Sequence, residues 1–239
     1  MFLEINSQRS CAPELLDLGP SYYSQDEYTA CLHQLARIGH LLGGDKATLN
    51  AFNRFPPPSS ILDVGCGGGQ FTIKLAKEFS KAHVTGIDIS SQAIEFAQKR
   101  LEETQLTNVA FEIPPSVQLS YPSNSFDVVT ATLVCHHMHA TDLIDFLKRA
   151  YEVASQRIIL NDLHRHWLAY LGFGLIAKPF FSNRLITHDG LLSIKRAFKK
   201  QDWIDSLQAA GIPLEQCSIT WHWAFRWIVC IDTSAKASL

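Results

Sequence analysis

A glycine-rich turn between an apolar strand and a helix constrains this chain more than any other feature. Residues 61–64 (ILDV) predict a short buried strand, and helical periodicity begins at Phe71. Gly65, Gly67 and Gly69 lie between the two elements. Such a turn lets the backbone approach a ligand closely, and the helix that follows offers free N–H groups to it. The turn therefore predicts a ligand site at the carboxyl end of the strand.

Strands and helices alternate along the chain after this turn. The pattern predicts strands at 61–64, 83–87, 109–111, 126–131, 157–160, 214–219 and 224–231, and helices at 71–80, 91–104, 141–153, 167–181 and 200–210. Alternation of this kind is typical of an α/β fold. We expect a doubly wound, Rossmann-like, seven-stranded and mostly parallel sheet, whose ligands bind beyond the carboxyl ends of the strands.

The N-terminal segment follows a different pattern. The spacing of its apolar residues predicts helices over 26–42 and 46–55, and three prolines follow at 56–58. Consecutive prolines cannot continue a helix, so they indicate a boundary. The sequence therefore predicts an N-terminal helical cap over residues 1–57 and a core domain over 58–239.

The residues around the glycines exclude one common ligand class and weaken another. A phosphate P-loop needs Gly-Lys-Ser/Thr after its glycines, and none follows here. Gln70 stands where a dinucleotide fingerprint has its third glycine. Asp88, at the end of the second strand, can accept hydrogen bonds from both hydroxyls of a ribose. A nicotinamide-dependent oxidoreductase stays an alternative on these residues alone.

Three motifs together resemble the class I methyltransferases that use S-adenosylmethionine (SAM). They are DVGCGGG at 63–69, GIDIS at 86–90 and SFDVV at 125–129, in that family's order and spacing. The resemblance implies SAM as the cofactor. It also implies which residues contact each part of SAM. Gly65, Gly67 and Gly69 would line the methionine half, with Asp63 beneath them. Asp88 would bind the ribose, and Ile89 would pack on the adenine.

One position departs from that family's pattern. Such enzymes usually carry an acidic residue after the third strand, and Pro115 stands there in this chain. We expect the backbone N–H of Ser116 or Val117 to hold the adenine instead. Losing one side-chain hydrogen bond costs ~1 kcal/mol where water replaces it. Weaker adenine binding is therefore expected, and a vestigial SAM-binding module is the alternative that this position favours.

Histidines near the later strand ends are the candidate catalytic residues, because a phenol or enol must lose a proton and histidine titrates near neutral pH. NDLHR at 161–165 and HDG at 188–190 resemble a methyltransferase subfamily of bacterial type III polyketide clusters. The resemblance to ubiquinone and menaquinone methyltransferases is more distant. His164 and His188 are the first candidates for the base. His136 is the third, because a His-His pair resembles one near the donor in many small-molecule methyltransferases.

No metal site is expected. His136, His137 and His139 follow the fourth strand closely, but adjacent side chains of an extended segment point to opposite sides. No carboxylate or cysteine stands at a ligand spacing from them. We therefore expect methyl transfer without added metal.

The stretch 167–181 is apolar nearly all round, whereas a surface helix has one polar face. One interpretation is a buried core helix. The other is a lid that walls a pocket for an apolar acceptor and contacts a membrane surface. We expect SAM-dependent methyl transfer to an oxygen or carbon of a hydrophobic aromatic or enolic small molecule, polyketide-like or quinone-like.

Charge and cysteine usage limit the partners and the compartment. The net charge is −2, and the lysines and arginines form no long basic stripe, which disfavours nucleic acid as a substrate. The six cysteines include no C-x-x-C pair, which is typical of reduced thiols in a cytoplasmic protein.

Overall fold

The computed structural model describes residues 8–116, 119–234 and 236, and this part of the chain forms a seven-stranded sheet. The strands are β1 (Ser60–Val64), β2 (His83–Ile87), β3 (Val109–Glu112), β4 (Phe126–Thr132), β5 (Ala154–Leu163), β6 (Cys217–His222) and β7 (Arg226–Asp232). Their order is β3-β2-β1-β4-β5-β7-β6. The first five strands pair in parallel, and β7 pairs antiparallel with both β5 and β6. The predicted Rossmann-like fold is therefore confirmed.

Helices cover both faces of this sheet. They are α1 (Gln25–Leu41), α2 (Gly44–Phe52), α3 (Gln70–Glu78), α4 (Ser91–Glu102), α5 (Ala140–Val153), α6 (Trp167–Phe180), α7 (Arg184–Thr187), α8 (Asp189–Arg196) and α9 (Lys200–Ala209). One core cluster joins α5 and α9 to one face, and a second joins α2, α3 and α4 to the other. Because both faces are covered, the central strands are apolar on both sides, as is usual for parallel sheets.

The helices pack on the two faces of the sheet through residues that are apolar in the sequence. Leu147 of α5 and Trp203 of α9 pack with Leu160 of β5, and all three are fully buried. Phe52 of α2 packs on the opposite face with Ile61 of β1. Since α2 shares this core, the second helix of the predicted cap belongs physically to the sheet layer. The division of the chain at residue 57 stays a prediction.

The structure differs from the sequence prediction in three segments. The predicted strand at 214–219 begins as a 3₁₀ turn, Leu214–Gln216, and becomes strand only from Cys217. Helices α7 and α8 lie where no element was predicted, because short helices give little periodicity to detect. The segment after β4 forms a 3₁₀ helix, Cys135–His137, and is not extended.

Helix α6 is not a buried core helix, so that interpretation of residues 167–181 is wrong. Leu175 is 68% exposed and Phe180 is 76% exposed. Phe173 of α6 packs against a buried cluster that includes Leu185 and Ile186 of α7. Helix α6 thus rests on α7 and α8 at the rim of the fold with an apolar face uncovered. Within the described ranges, no helix is both long and apolar enough to cross a membrane.

The contact between α6 and α8 leads to a prediction about stability. A Cβ at Gly190 would lie 2.5 Å from the Phe173 ring, whereas a Cβ at Gly172 meets no atom within 4 Å. We expect Gly190→Ala to lower the free energy of unfolding by about 1–3 kcal/mol, because the ring or the helix must shift. Gly172→Ala should raise that free energy by about 0.5–1 kcal/mol, because alanine favours helix. Urea unfolding of both variants measures the difference, and equal effects would contradict this packing.

Candidate functional site

A cavity of about 1590 Å³ opens at the carboxyl ends of β1, β2 and β4. Its wall includes the glycine turn, the end of β2, the 3₁₀ turn after β4, helices α1 and α6, and the segment before α1. Binding pockets for one small ligand usually enclose about 300–1000 Å³. The cavity is therefore large enough for two ligands side by side.

The glycines of the turn differ in what they contact. Gly65 and Gly67 line the cavity and adopt positive φ angles of 68° and 51°, which other residues rarely do. A Cβ at Gly67 would meet no atom within 4 Å, so its open side faces ligand space. A Cβ at Gly69 would lie 2.6 Å from Phe111 and 2.8 Å from Ala97. Gly69 thus allows the turn to pack on the sheet, and it does not line the cavity.

Asp63 lies beneath the turn, where the resemblance implied it. Its carboxylate is buried and accepts a hydrogen bond from the Thr72 hydroxyl at 2.6 Å. Burial raises the pKa of Asp63 to about 7, because the charged form loses its hydration. Asp63 is absent from the cavity wall, so its part is to tie β1 to helix α3 under the turn.

Asp88 stands on the cavity wall and is held in a single orientation. Its Oδ2 accepts from the Gly67 N–H and its Oδ1 from the Ser90 N–H, each at 2.9 Å. Burial raises the pKa of Asp88 above its usual value. A carboxylate has about four acceptor sites, so capacity remains for the two hydroxyls of a ribose. Ile89 is 70% exposed on the same wall, as a surface for a flat ring would be.

The predicted adenine contacts are only partly visible. Ser116 lines the cavity, and its hydroxyl lies 3.2 Å from that of Ser120. Val117 lies outside the described residues. Pro114 also lines this wall, but Pro115, the position at which the resemblance implies an acidic residue, does not.

The chain turns sharply where β4 ends. Leu133 has a φ of 58°, an unfavourable conformation for a bulky side chain, and its N–H donates to the Asn161 carbonyl at 2.8 Å. The 3₁₀ helix follows, and it places the rings of His136 and His137 with centroids 4.3 Å apart. The expectation that these rings point to opposite sides is therefore wrong, because the segment is helical.

His136 is buried against a carboxylate. Its Nδ1 lies 2.7 Å from Asp162 Oδ1, and its backbone N–H donates to Asp162 Oδ2 at 2.9 Å. Burial opposes ionisation of Asp162, but the His136 ring and the hydrogen bonds from His136 and Leu163 outweigh it and lower the pKa of Asp162. An ionised Asp162 can only accept a hydrogen bond, so Nδ1 of His136 carries the proton that is donated to it. Nε2 is then the nitrogen of the ring that points away from Asp162.

Two acidic residues from the segment before α1 complete this part of the wall. Glu14 lies 3.8 Å from His136 Nε2 and 3.9 Å from His137 Nε2, through its two carboxylate oxygens. Glu14 is buried, which raises its pKa to about 7. Asp17 Oδ1 lies 2.8 Å from His137 Nδ1. Sequence reasoning assigned no role to either acid, because only the fold brings residues 120 positions apart together.

The other two candidate bases lie outside the cavity wall. His164 accepts a hydrogen bond at Nδ1 from the Trp221 ring, and burial lowers its pKa to about 4. Its ring packs against Trp227. His188 is largely exposed, and its Nδ1 lies 2.8 Å from Asp189. The structure thus brings His136 to the cavity and places His164 and His188 elsewhere.

Comparison with known proteins identifies a methyltransferase domain in this chain. Residues 58–169 match a family model described as a methyltransferase domain. A 27-O-demethylrifamycin SV methyltransferase of Amycolatopsis mediterranei is 40% identical over 79 residues, which are 33% of this chain and 29% of that protein. A demethylmenaquinone methyltransferase of Listeria welshimeri is 31% identical over 96 residues, 40% of each chain. The chain thus matches less than half the length of either relative.

One solved structure resembles nearly the whole fold. The plantazolicin methyltransferase, in complex with S-adenosylhomocysteine (SAH), aligns with a TM-score of 0.67 and 17% identity. The alignment covers 96% of this chain and 95% of that one. The family match favours a methyltransferase over the nicotinamide-dependent alternative, and the structural likeness supports the fold.

The position of Asp88 leads to a prediction about cofactor affinity. We expect Asp88→Ala to weaken SAH binding by ~1.5–3 kcal/mol, because charge-assisted hydrogen bonds to the ribose are lost. Titration calorimetry measures this loss. Glu112→Ala is the matched control, because Glu112 ends the neighbouring strand but does not line the cavity. Equal affinity of wild type and Asp88→Ala would contradict the ribose placement.

Proposed function

We propose that this chain, which carries a class I SAM-dependent methyltransferase domain, methylates an oxygen or carbon of an apolar aromatic or enolic small molecule. The observation that carries the proposal is the position of His136. Its ring is held by Asp162 at the carboxyl end of β4, inside a cavity whose other half is the glycine turn. A methyl donor at the glycine turn and an acceptor beside His136 would thus share one cavity.

The division of the cavity follows from its walls. The glycine turn and Asp88 supply backbone N–H groups and a carboxylate, which suit the polar groups of SAM. The remaining wall is largely apolar and aromatic, with Tyr23, Phe173 and Trp223 among its residues. A polar acceptor would lose its hydration there with few partners in return. An aromatic polyketide-like or quinone-like acceptor suits such a wall.

The reaction needs alignment and activation of the acceptor. SAM, when bound, would supply an electrophilic methyl group: a lone pair on oxygen, or the π electrons at an enol carbon, would form the new bond to that methyl as the carbon–sulfur bond breaks with its electron pair on sulfur. The acceptor's hydroxyl proton would pass to His136 Nε2 or to solvent. Holding the reactants in line supplies much of the rate enhancement. We assign activation of the acceptor's hydroxyl to His136 and the residues beside it. Asp162 is the residue that positions the His136 ring. His164 and His188 are replaced in this role, since neither lines the cavity.

Helix α6 gives the acceptor a route of entry. Leu168 and Ile176 line the cavity, and they are also 44% and 47% exposed. Helix α6 therefore presents an apolar acceptor with an apolar surface that continues into the cavity wall. Contact of this helix with a membrane surface stays a prediction.

Histidine variants test the assignment. We expect His136→Gln to lower turnover by roughly 10²–10⁴-fold while SAH affinity stays near that of wild type. His164→Gln and His188→Gln should keep most of the turnover. SAH release measures turnover, and calorimetry measures affinity. If His164→Gln or His188→Gln abolishes turnover and His136→Gln does not, the base lies outside this cavity wall.

An acceptor panel tests the proposed function directly. Reduced demethylmenaquinone and a long-chain resorcinol represent apolar acceptors, and phosphoethanolamine is the polar control. We expect SAH release above background with at least one apolar acceptor and none with phosphoethanolamine. Methylation of phosphoethanolamine alone would contradict the apolar acceptor site. SAH binding without release of SAH from SAM on any phenol, quinol or amine would favour the vestigial module.

A further inference from the structure

Three potential ligand atoms converge on one point of the cavity wall. His136, His137 and Glu14 each offer one potential ligand atom, and these three atoms lie within 4.8 Å of one another. We call these residues the two-histidine cluster. Ligand atoms about 2.1 Å from a shared cation are about 3.0–3.4 Å apart. Glu14 Oε1 lies 3.8 Å from His136 Nε2, and Glu14 Oε2 lies 3.9 Å from His137 Nε2. Because the three ligand atoms lie within 4.8 Å of one another, they must approach by at most about 1.8 Å to surround one cation.

The other nitrogen of each ring is already held by a carboxylate. Asp162 lies 2.7 Å from His136 Nδ1, and Asp17 lies 2.8 Å from His137 Nδ1. Histidines that bind metal almost always have this second partner, which fixes the tautomer and turns Nε2 towards the cation. Both histidines of the cluster have such a carboxylate partner, as histidines that bind metal usually do.

The carboxylates around the cluster supply negative charge that can balance a bound cation. Glu14, Asp17 and Asp162 bring three carboxylates within reach of the two rings. Arg196 pairs with Asp17, and its Nε lies 4.0 Å from Glu14. Arg9 also approaches, but it donates to backbone carbonyls of the 3₁₀ turn, including that of His136. Arg196 therefore supplies one positive charge beside Glu14, where the Ser193 hydroxyl also donates a hydrogen bond, while the Nε2 atoms of both histidines face Glu14.

We propose that Glu14, His136 and His137 bind one divalent first-row transition-metal cation at the acceptor end of the cavity. Two histidines and one carboxylate leave coordination positions open, as in catalytic sites of zinc and non-haem iron proteins. The acceptor's hydroxyl oxygen takes an open position, and its proton leaves to solvent. This assignment rests on the proposed function for its role in catalysis, but metal binding itself does not.

The proposal reverses the expectation of a metal-free enzyme. That expectation depended on rings pointing apart and on the lack of a nearby carboxylate in the sequence. The 3₁₀ turn brings the rings together, and Glu14 arrives from 122 positions earlier in the chain.

Metal binding is tested on protein without an affinity tag, after dialysis against a chelator. We expect one equivalent of Co²⁺ to bind and to give d–d absorption bands without a thiolate-to-cobalt charge-transfer band. The missing charge-transfer band excludes cysteine ligands such as Cys66, which also lines the cavity. His137→Ala and Glu14→Gln should each weaken Co²⁺ binding by roughly 10–100-fold or more.

His139→Ala is the matched control, because His139 belongs to the same segment but not to the cluster. It should bind Co²⁺ as wild type does. SAH affinity and the thermal unfolding midpoint show whether each variant is folded. If Glu14→Gln unfolds, Asp17→Asn replaces it, since loss of the Asp17 partner should still weaken Co²⁺ binding by roughly 10–100-fold.

Two outcomes would overturn the metal site. One is no stoichiometric Co²⁺ binding by wild type, and the other is binding that His137→Ala and Glu14→Gln leave unchanged. If either occurs while His136→Gln still loses turnover on a phenol, the proposed function survives and His136 acts as the base itself. If Co²⁺ binds as described but no acceptor of the panel is methylated, the metal site stands and the proposed function falls.

Discussion

The buried carboxylate of Asp162 is the interaction on which the candidate site depends. It accepts hydrogen bonds from the ring and backbone N–H of His136 and from the Leu163 N–H. A buried charge without such donors would cost several kcal/mol, so the 3₁₀ turn cannot easily leave β5. The same bonds turn the His136 ring into the cavity. Stability of the turn and orientation of the histidine therefore have one cause.

Strain at the end of β4 accompanies this arrangement. Leu133 takes a backbone conformation that a bulky residue avoids, and it does so one residue after the strand ends. The parallel register pairs Thr132 with Asn161, so the turn begins beside the residue that precedes Asp162. Adjacent parallel strands thus deliver the histidine and its carboxylate to the same edge of the sheet.

The segment before α1 closes the site from the opposite side. Asp189 of α8 accepts from the N–H groups of Leu15 and Leu16 at 3.0 and 3.1 Å. Ser193 donates to Glu14 at 2.8 Å, and Arg196 donates to the carbonyls of the 3₁₀ turn. Helix α8 therefore connects the N-terminal acids to the histidines. Asp189, Ser193 and Arg196, which follow the candidate base His188, thus connect these two segments.

The sequence by itself determined the fold and the side of the cavity that the glycine turn forms. Strand–turn–helix geometry is local, so Gly65, Gly67 and Asp88 could be placed at the carboxyl ends of their strands, on the cavity wall, from their positions in the sequence. The roles of the histidines could not, because the sequence does not reveal whether residues after β4 are extended or helical. Only the tertiary structure decided that His136 faces the cavity and that His164 packs against Trp227. The meeting of Glu14 with His136 was also beyond local reasoning, because it depends on packing between segments 122 residues apart.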